Sequence, residues 1–199
     1  PAAVAHPLDD GTAPVLPRDL DCAAEQFGRD ARAYRSLLRP FVDHWAEFVD
    51  DLLAPIRIPP RHPLVYGRFA PLAPLAATTL ARLAFRTERT RALFAGMAAH
   101  SMLSLDAPAS AAFGLVLAAS AHAVGWPMPR GGAQRISDAL AAIFRALGGE
   151  IVTGRWIHSL DELPAAKATL LDVTPRQFIA LAGARMPAAY GNRLSSFRY

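Results

Sequence analysis

The sequence predicts a mostly helical α+β protein in which a helical block is inserted between short strands. Three observations carry that prediction. Apolar residues recur at helical spacing through most of the chain. The clearest case is Ile136, Ala139, Leu140, Ile143, Phe144 and Leu147, at i, i+3, i+4, i+7, i+8 and i+11. Strand-prone residues gather only towards the two ends, in "VAHPLDDGTAPVLP" and in "EIVTGRWIHSL" with "ATLLDV". Proline and glycine clusters punctuate the rest, above all "APIRIPPRHP" and "GWPMPRGG".

Taken in order, "VAHPLDDGTAPVLP" reads as two extended segments joined by an Asp-Asp-Gly turn, with Gly11 supplying a positive φ. Tyr34, Leu37, Leu38, Phe41, Trp45, Phe48, Val49 and Leu52 then form one apolar stripe. Pro40 should kink that helix or split it after Leu38. "APIRIPPRHP" is a loop, and a helix follows Pro74. Arg89 to Met102 gives another, with Leu93, Phe94, Met97 and Ala98 on one face. Asp106 and Pro108 mark the start of a helix through Phe113, Leu117 and His122. After the stripe that ends at Leu147, Gly148 is placed to close the helix in a left-handed cap. "EIVTGRWIHSL" reads as one or two strands and "ATLLDV" as a buried strand. Thr174, Pro175 and Gln177 form a capping box that opens "PRQFIALAG", and the tail "RLSSFRY" looks extended. The organisation is therefore a region 1–126, a strand pair followed by helices, and a region 127–199 of helix, strand, strand and helix.

Bulk properties narrow the function. The 199 residues, 52% of them hydrophobic, suffice for one domain or two small lobes with a real core. The net charge of +4 invites a nucleic-acid partner. Yet the basic residues, all arginine except Lys167, are scattered along the chain without interleaved aromatics, so no nucleic-acid partner is expected. Cys22 is the single cysteine, which excludes an internal disulfide and fits a cytoplasmic location. No leader is expected, because the start is neutral and turn-rich. The longest apolar run, Ala111 to Val124, falls short of the ~20 residues a spanning helix needs. No transmembrane segment is expected, and peripheral membrane contact stays open.

Local chemistry is sparse. There is no Walker A loop, no G-x-G among the thirteen glycines, and no H-E-x-x-H, C-x-x-C or G-x-S-x-G. No two of the six histidines lie at i, i+3 or i+4, so no metal site is expected. His100 and His122 each sit near the end of an apolar helix. Each reads either as a histidine whose ring nitrogens meet backbone groups, which is favoured, or as a polar group orienting a ligand in an apolar pocket. Phe113 and Trp126 join them as candidate pocket residues. Gly131 and Gly132 precede a helix N-terminus, where anions can bind.

The stretch "VGWPMPRGGAQRISDALAAIFRALGGEIVTGRWIHSL" followed by "LLDVTPRQFIALAG" resembles FAD-dependent oxidoreductases of the phytoene-desaturase-like group, within the amine-oxidase-type flavoprotein superfamily. "FAGMAAHSMLSLDAPASAAFGLVLAASAHAVGWP" is similar to bacterial, especially actinobacterial, NAD(P)/FAD-dependent oxidoreductases. The resemblance covers most of the chain. It implies a helical substrate-domain block between short strands of an FAD-domain sheet. It also implies hydride transfer from an apolar, isoprenoid-like substrate to flavin. By resemblance, Ile157 with Trp156 beside it passes the adenine of FAD, Gly131 and Gly132 approach the flavin, and Thr174 and Pro175 form the turn after the next strand. No catalytic residue carries over. The family's N-terminal FAD fingerprint and C-terminal flavin motif have no counterpart here, and the hairpin at "LDELPAAKATLL" is shorter than usual. The chain is expected to be the middle of such an enzyme, needing missing segments or a complementary flavoprotein chain to hold FAD. The alternative is a non-enzymatic helical module that binds an apolar ligand or a partner flavoprotein chain.

Overall fold

The structure, a computed structural model, describes residues 2–198, apart from the side chain of Ala184. It is a mostly helical α+β protein with one two-stranded sheet among the described residues. The chain divides into two units, 1–129 and 130–199, three residues beyond the boundary expected from the sequence.

In the first unit, strands β1 (Ala2–Ala5) and β2 (Val15–Pro17) pair antiparallel, Val4 opposite Leu16 and Ala5 opposite Val15. The turn between them is the expected one. Gly11 has φ +79°, the Leu8 N–H donates to the Thr12 carbonyl at 2.8 Å, and an Asp10 carboxylate oxygen accepts from the Thr12 N–H. Among the described residues seven α-helices follow: α1 (Leu20–Glu25), α2 (Ala31–Asp43), α3 (Trp45–Leu52), α4 (Pro63–Phe69), α5 (Ala77–Ala84), α6 (Glu88–Ala99) and α7 (Ser110–Ala123).

Helix α2 does not split after Leu38. It runs through Pro40, and the break falls at His44, whose φ is −112° and ψ is 35°. Pro40 removes one backbone donor and crowds the Ser36 carbonyl, a cost of about 3 kcal/mol in a helix interior. Leu38 and Phe41 lie on either side of it and are both buried, so core packing holds the helix on course.

The core gathers around α7, which has no polar face. Ala111, Gly114, Leu115, Ala118, Ala119 and Ala121 are all buried. A helix apolar all round belongs in an interior, and small residues let its neighbours come close. A Cβ at Gly114 would stand 2.8 and 3.0 Å from the Phe94 ring and 3.2 Å from Ala98 on α6. Beyond it, Phe27, Tyr34 and Phe85 pack ring against ring, and Phe41, Phe48 and Phe69 form a second aromatic group. Asp30 is buried, and its carboxylate accepts from the Arg86 N–H, the Thr87 N–H and the Thr87 hydroxyl at 2.6–2.9 Å, fixing the turn into α6.

The second unit holds α8 (Gln134–Ala146), α9 (Pro175–Ala182) and α10 (Ala188–Ser195). Gly148 closes α8 at φ +86°, and Thr174 with Gln177 forms the capping box of α9, both as the sequence indicates. The expected strands at 150–160 and 168–173 are not formed, and no strand occurs among the described residues of this unit. Gly154, at φ +71°, breaks the extended backbone. Glu162 then accepts the His158 and Ser159 N–H groups at 3.0 and 3.1 Å, donors a strand would give to a neighbour. A lone strand pair is marginal in water. The tail is not extended either, since Arg193, Leu194 and Ser195 belong to α10.

Because α7 depends on small residues, Gly114→Ala should destabilise the protein by about 1–3 kcal/mol through overpacking against Phe94. Gly67→Ala, on α4 with nothing within 4 Å of the added methyl, should be neutral or stabilising. Chemical denaturation of both variants checks this, and equal effects would contradict the packing argument.

Candidate functional site

Helix α7 ends at Ala123, and the chain reverses through Gly125 at φ +77°. That reversal lays Trp126 back against the last turn. Its indole N–H donates to the Ser120 hydroxyl at 3.0 Å, and Ser120 donates to the Leu117 carbonyl at 2.8 Å. The Trp126 ring also meets His100 edge-on at 6.0 Å. The result is a groove of about 430 Å³ walled by Ala2, Ala3, Ala121, Val124, Trp126 and Met128, with Arg18 as the one charged side chain. Arg18 is held there by a bond to the Ala123 carbonyl at 3.1 Å. The volume lies in the range of small-molecule sites, and the composition, apolar walls with one polar anchor, is theirs too.

Three of the four expected pocket residues belong to this neighbourhood. Trp126 lines the groove, and His100 touches Trp126 at the exposed C-cap of α6. His122 is buried behind it. Its Nδ1 lies 3.1 Å from the Arg18 carbonyl, which only accepts, so Nδ1 carries the proton. Its Nε2 then accepts the Tyr34 hydroxyl at 2.8 Å. Both ring nitrogens are occupied inside the protein, and His122 orients no ligand. Phe113 does not line the groove. It is exposed in the first turn of α7, nine residues or about 14 Å of helix rise from His122. Arg18, Ser120 and Tyr34 carry no local sequence signal, and they reach the site only through folding.

The groove holds no acid–base pair. Burial pushes the Tyr34 phenol up and keeps it neutral. Burial lowers the His122 pKa, and bonds to the Arg18 and Pro17 carbonyls only partly oppose this. The arrangement can bind and orient an apolar molecule, with Arg18 available to a polar or anionic end.

The residues that the flavoprotein resemblance assigns to cofactor lie in the second unit. Ile157 is half-buried and Trp156 is exposed beside His158, at 6.4 Å between rings, both in irregular backbone. Gly131 and Gly132 have φ +90° and +91° ahead of α8, with the Arg135 side chain folded over Gly131. Thr174 and Pro175 cap α9. A dinucleotide sits where a strand, a glycine-rich turn and a helix meet. Among the described residues no strand carries any of these positions, so as arranged they do not form an FAD cradle.

Among the described residues, no cluster of three or more His, Cys, Asp or Glu side chains is placed to hold a metal ion, and no helix is long and apolar enough to cross a membrane. No family model, curated protein or solved structure matches this chain.

The His122 arrangement sets a pH dependence. A histidine with a lowered folded pKa binds fewer protons folded than unfolded, so stability is full above the unfolded value near 6.5 and falls as pH drops below it. His6, also lowered by burial, acts in the same direction. Urea unfolding between about pH 7.5 and pH 5 should show stability declining with acid, and His122→Gln should flatten the decline. An unchanged slope in that variant would contradict the assignment.

Proposed function

We propose that this chain is one part of an FAD-dependent oxidoreductase acting on an apolar substrate, with flavin held only once a complementary flavoprotein segment or chain completes the second unit. One observation carries this reading. The stripe of α8, Ile136, Leu140, Ile143, Phe144 and Leu147, is between 48 and 82% exposed, and no residue of the helix is buried. An amphipathic helix stabilises itself by burying such a stripe. Directly after it come Ile151, Val152 and Trp156, strand-prone and also exposed. A helix face and an adjacent strand-forming segment, both without a partner among the described residues, are what a helix-on-sheet layer looks like when the rest of its sheet is absent. The flavoprotein resemblance supports reading that sheet as part of an FAD domain, and the Trp126 groove is a site in the first unit that an apolar substrate would fit.

The same groove favours a second reading, a non-enzymatic module that binds an apolar ligand. Protein purified gently from its native cells separates the two. The flavoprotein reading expects a flavin absorption spectrum that co-elutes with the chain and a second polypeptide or additional sequence in the same species. An extractable apolar molecule at one-to-one stoichiometry, without flavin, would refute it and establish the second.

A further inference from the structure

Arginines that the sequence spreads from residue 29 to residue 91 converge on one side of the first unit. Several are spent on structure. Arg35 and Arg39 both reach Asp21, at 2.7 and 2.6 Å, and the Arg91 Nε donates to the Phe85 carbonyl at 2.9 Å. The guanidinium groups of Arg29, Arg32, Arg82 and Arg86 have no hydrogen bond or ion pair among the described residues. All four line one groove of about 600 Å³. Its only carboxylate, Asp30, is buried and already accepts three bonds from Arg86 and Thr87. A second groove of about 450 Å³ shares Arg32 and Ser36 with the first and adds Arg68, also unpaired. One acid, Asp43, faces it, and His44 at its rim pairs with Glu47 at 3.4 Å.

Like charges gathered in one groove repel; Arg68 and Arg82 lie in the last turns of α4 and α5, where a cation favours the helix dipole, but no free guanidinium group here is bonded to a carboxylate among the described residues. A bound anion would relieve the repulsion. Guanidinium forks match the oxygens of phosphate two at a time, which a lysine-lined groove would not do. Two grooves meeting at a shared wall suit a ligand with more than one phosphate. Neither groove presents an exposed Phe, Tyr or Trp side chain, since Phe85 is buried, so the broad rings on which successive nucleic-acid bases stack are missing from their described linings.

We propose that the first unit binds a soluble ligand carrying a di- or oligophosphate group in this double groove, with Arg32 and Ser36 at its centre. The site is independent of the Trp126 groove and of the flavoprotein reading. It is tested by calorimetric titration of the full chain with inorganic orthophosphate, pyrophosphate and tripolyphosphate at low and moderate salt. Saturable one-to-one binding is expected, tighter for tripolyphosphate than for orthophosphate. The double variant Arg32→Gln/Arg82→Gln should lose about tenfold or more in affinity with an unchanged unfolding midpoint, while Arg135→Gln on α8 should bind normally. No saturable binding, or equal weakening by Arg135→Gln, would overturn the proposal. So would Arg32-dependent binding of phosphatidylglycerol vesicles or a single-stranded oligonucleotide that pyrophosphate does not displace.

Discussion

The first unit depends on the close approach of α6 and α7. Helix α7 is apolar on every side, so it must be enclosed, and it can be enclosed because the residues facing α6 are small. The Phe94 ring occupies the space that a side chain at Gly114 would need. Once α7 is seated, its neighbours are positioned by polar bonds rather than by loose contact. Ser110 accepts the Ala77 N–H at 2.8 Å and ties α5 to the start of α7. Tyr34 on α2 donates to His122 near its end, and His122 donates to the chain leaving β2. Ser110, Tyr34 and His122 thus each have a partner for their buried polar atoms. The Trp126 groove follows from the same arrangement, since the chain can fold back on α7 only where that helix stops.

Signals confined to a few neighbouring residues were legible in the sequence. Gly11 in its turn, Gly148 at the end of α8 and the Thr174–Gln177 box each depend on residues within four positions of one another. So did the helical character of the chain as a whole. What the sequence did not reveal lies in distance. Tyr34 and His122 are 88 positions apart, and nothing near either announces the other. The arginines looked scattered because they are scattered along the chain, and folding brings them together around α2. Pro40 gave a correct local signal that core packing on both sides overruled. The strands at 150–160 and 168–173 are a different kind of miss: their residues favour extended backbone, but a strand exists only through its neighbours.

That last point separates the two units. The first buries a continuous apolar core of its own, built from β2 and α1 to α7. The second has the best helical period in the sequence, and its described residues offer no surface that buries it. A 13-residue helix without tertiary packing is marginal in water. The periodicity in α8 records a packing partner that the described residues of this unit do not provide.

The most direct test of this account is hydrogen exchange, read by mass spectrometry on the chain alone. Amides of α7 should exchange slowly, through opening of the whole first unit, while those of α8 should exchange close to the unprotected rate. Protection of α8 equal to that of α7 would mean its apolar stripe is already covered, and the central claim of an incomplete second unit would be wrong.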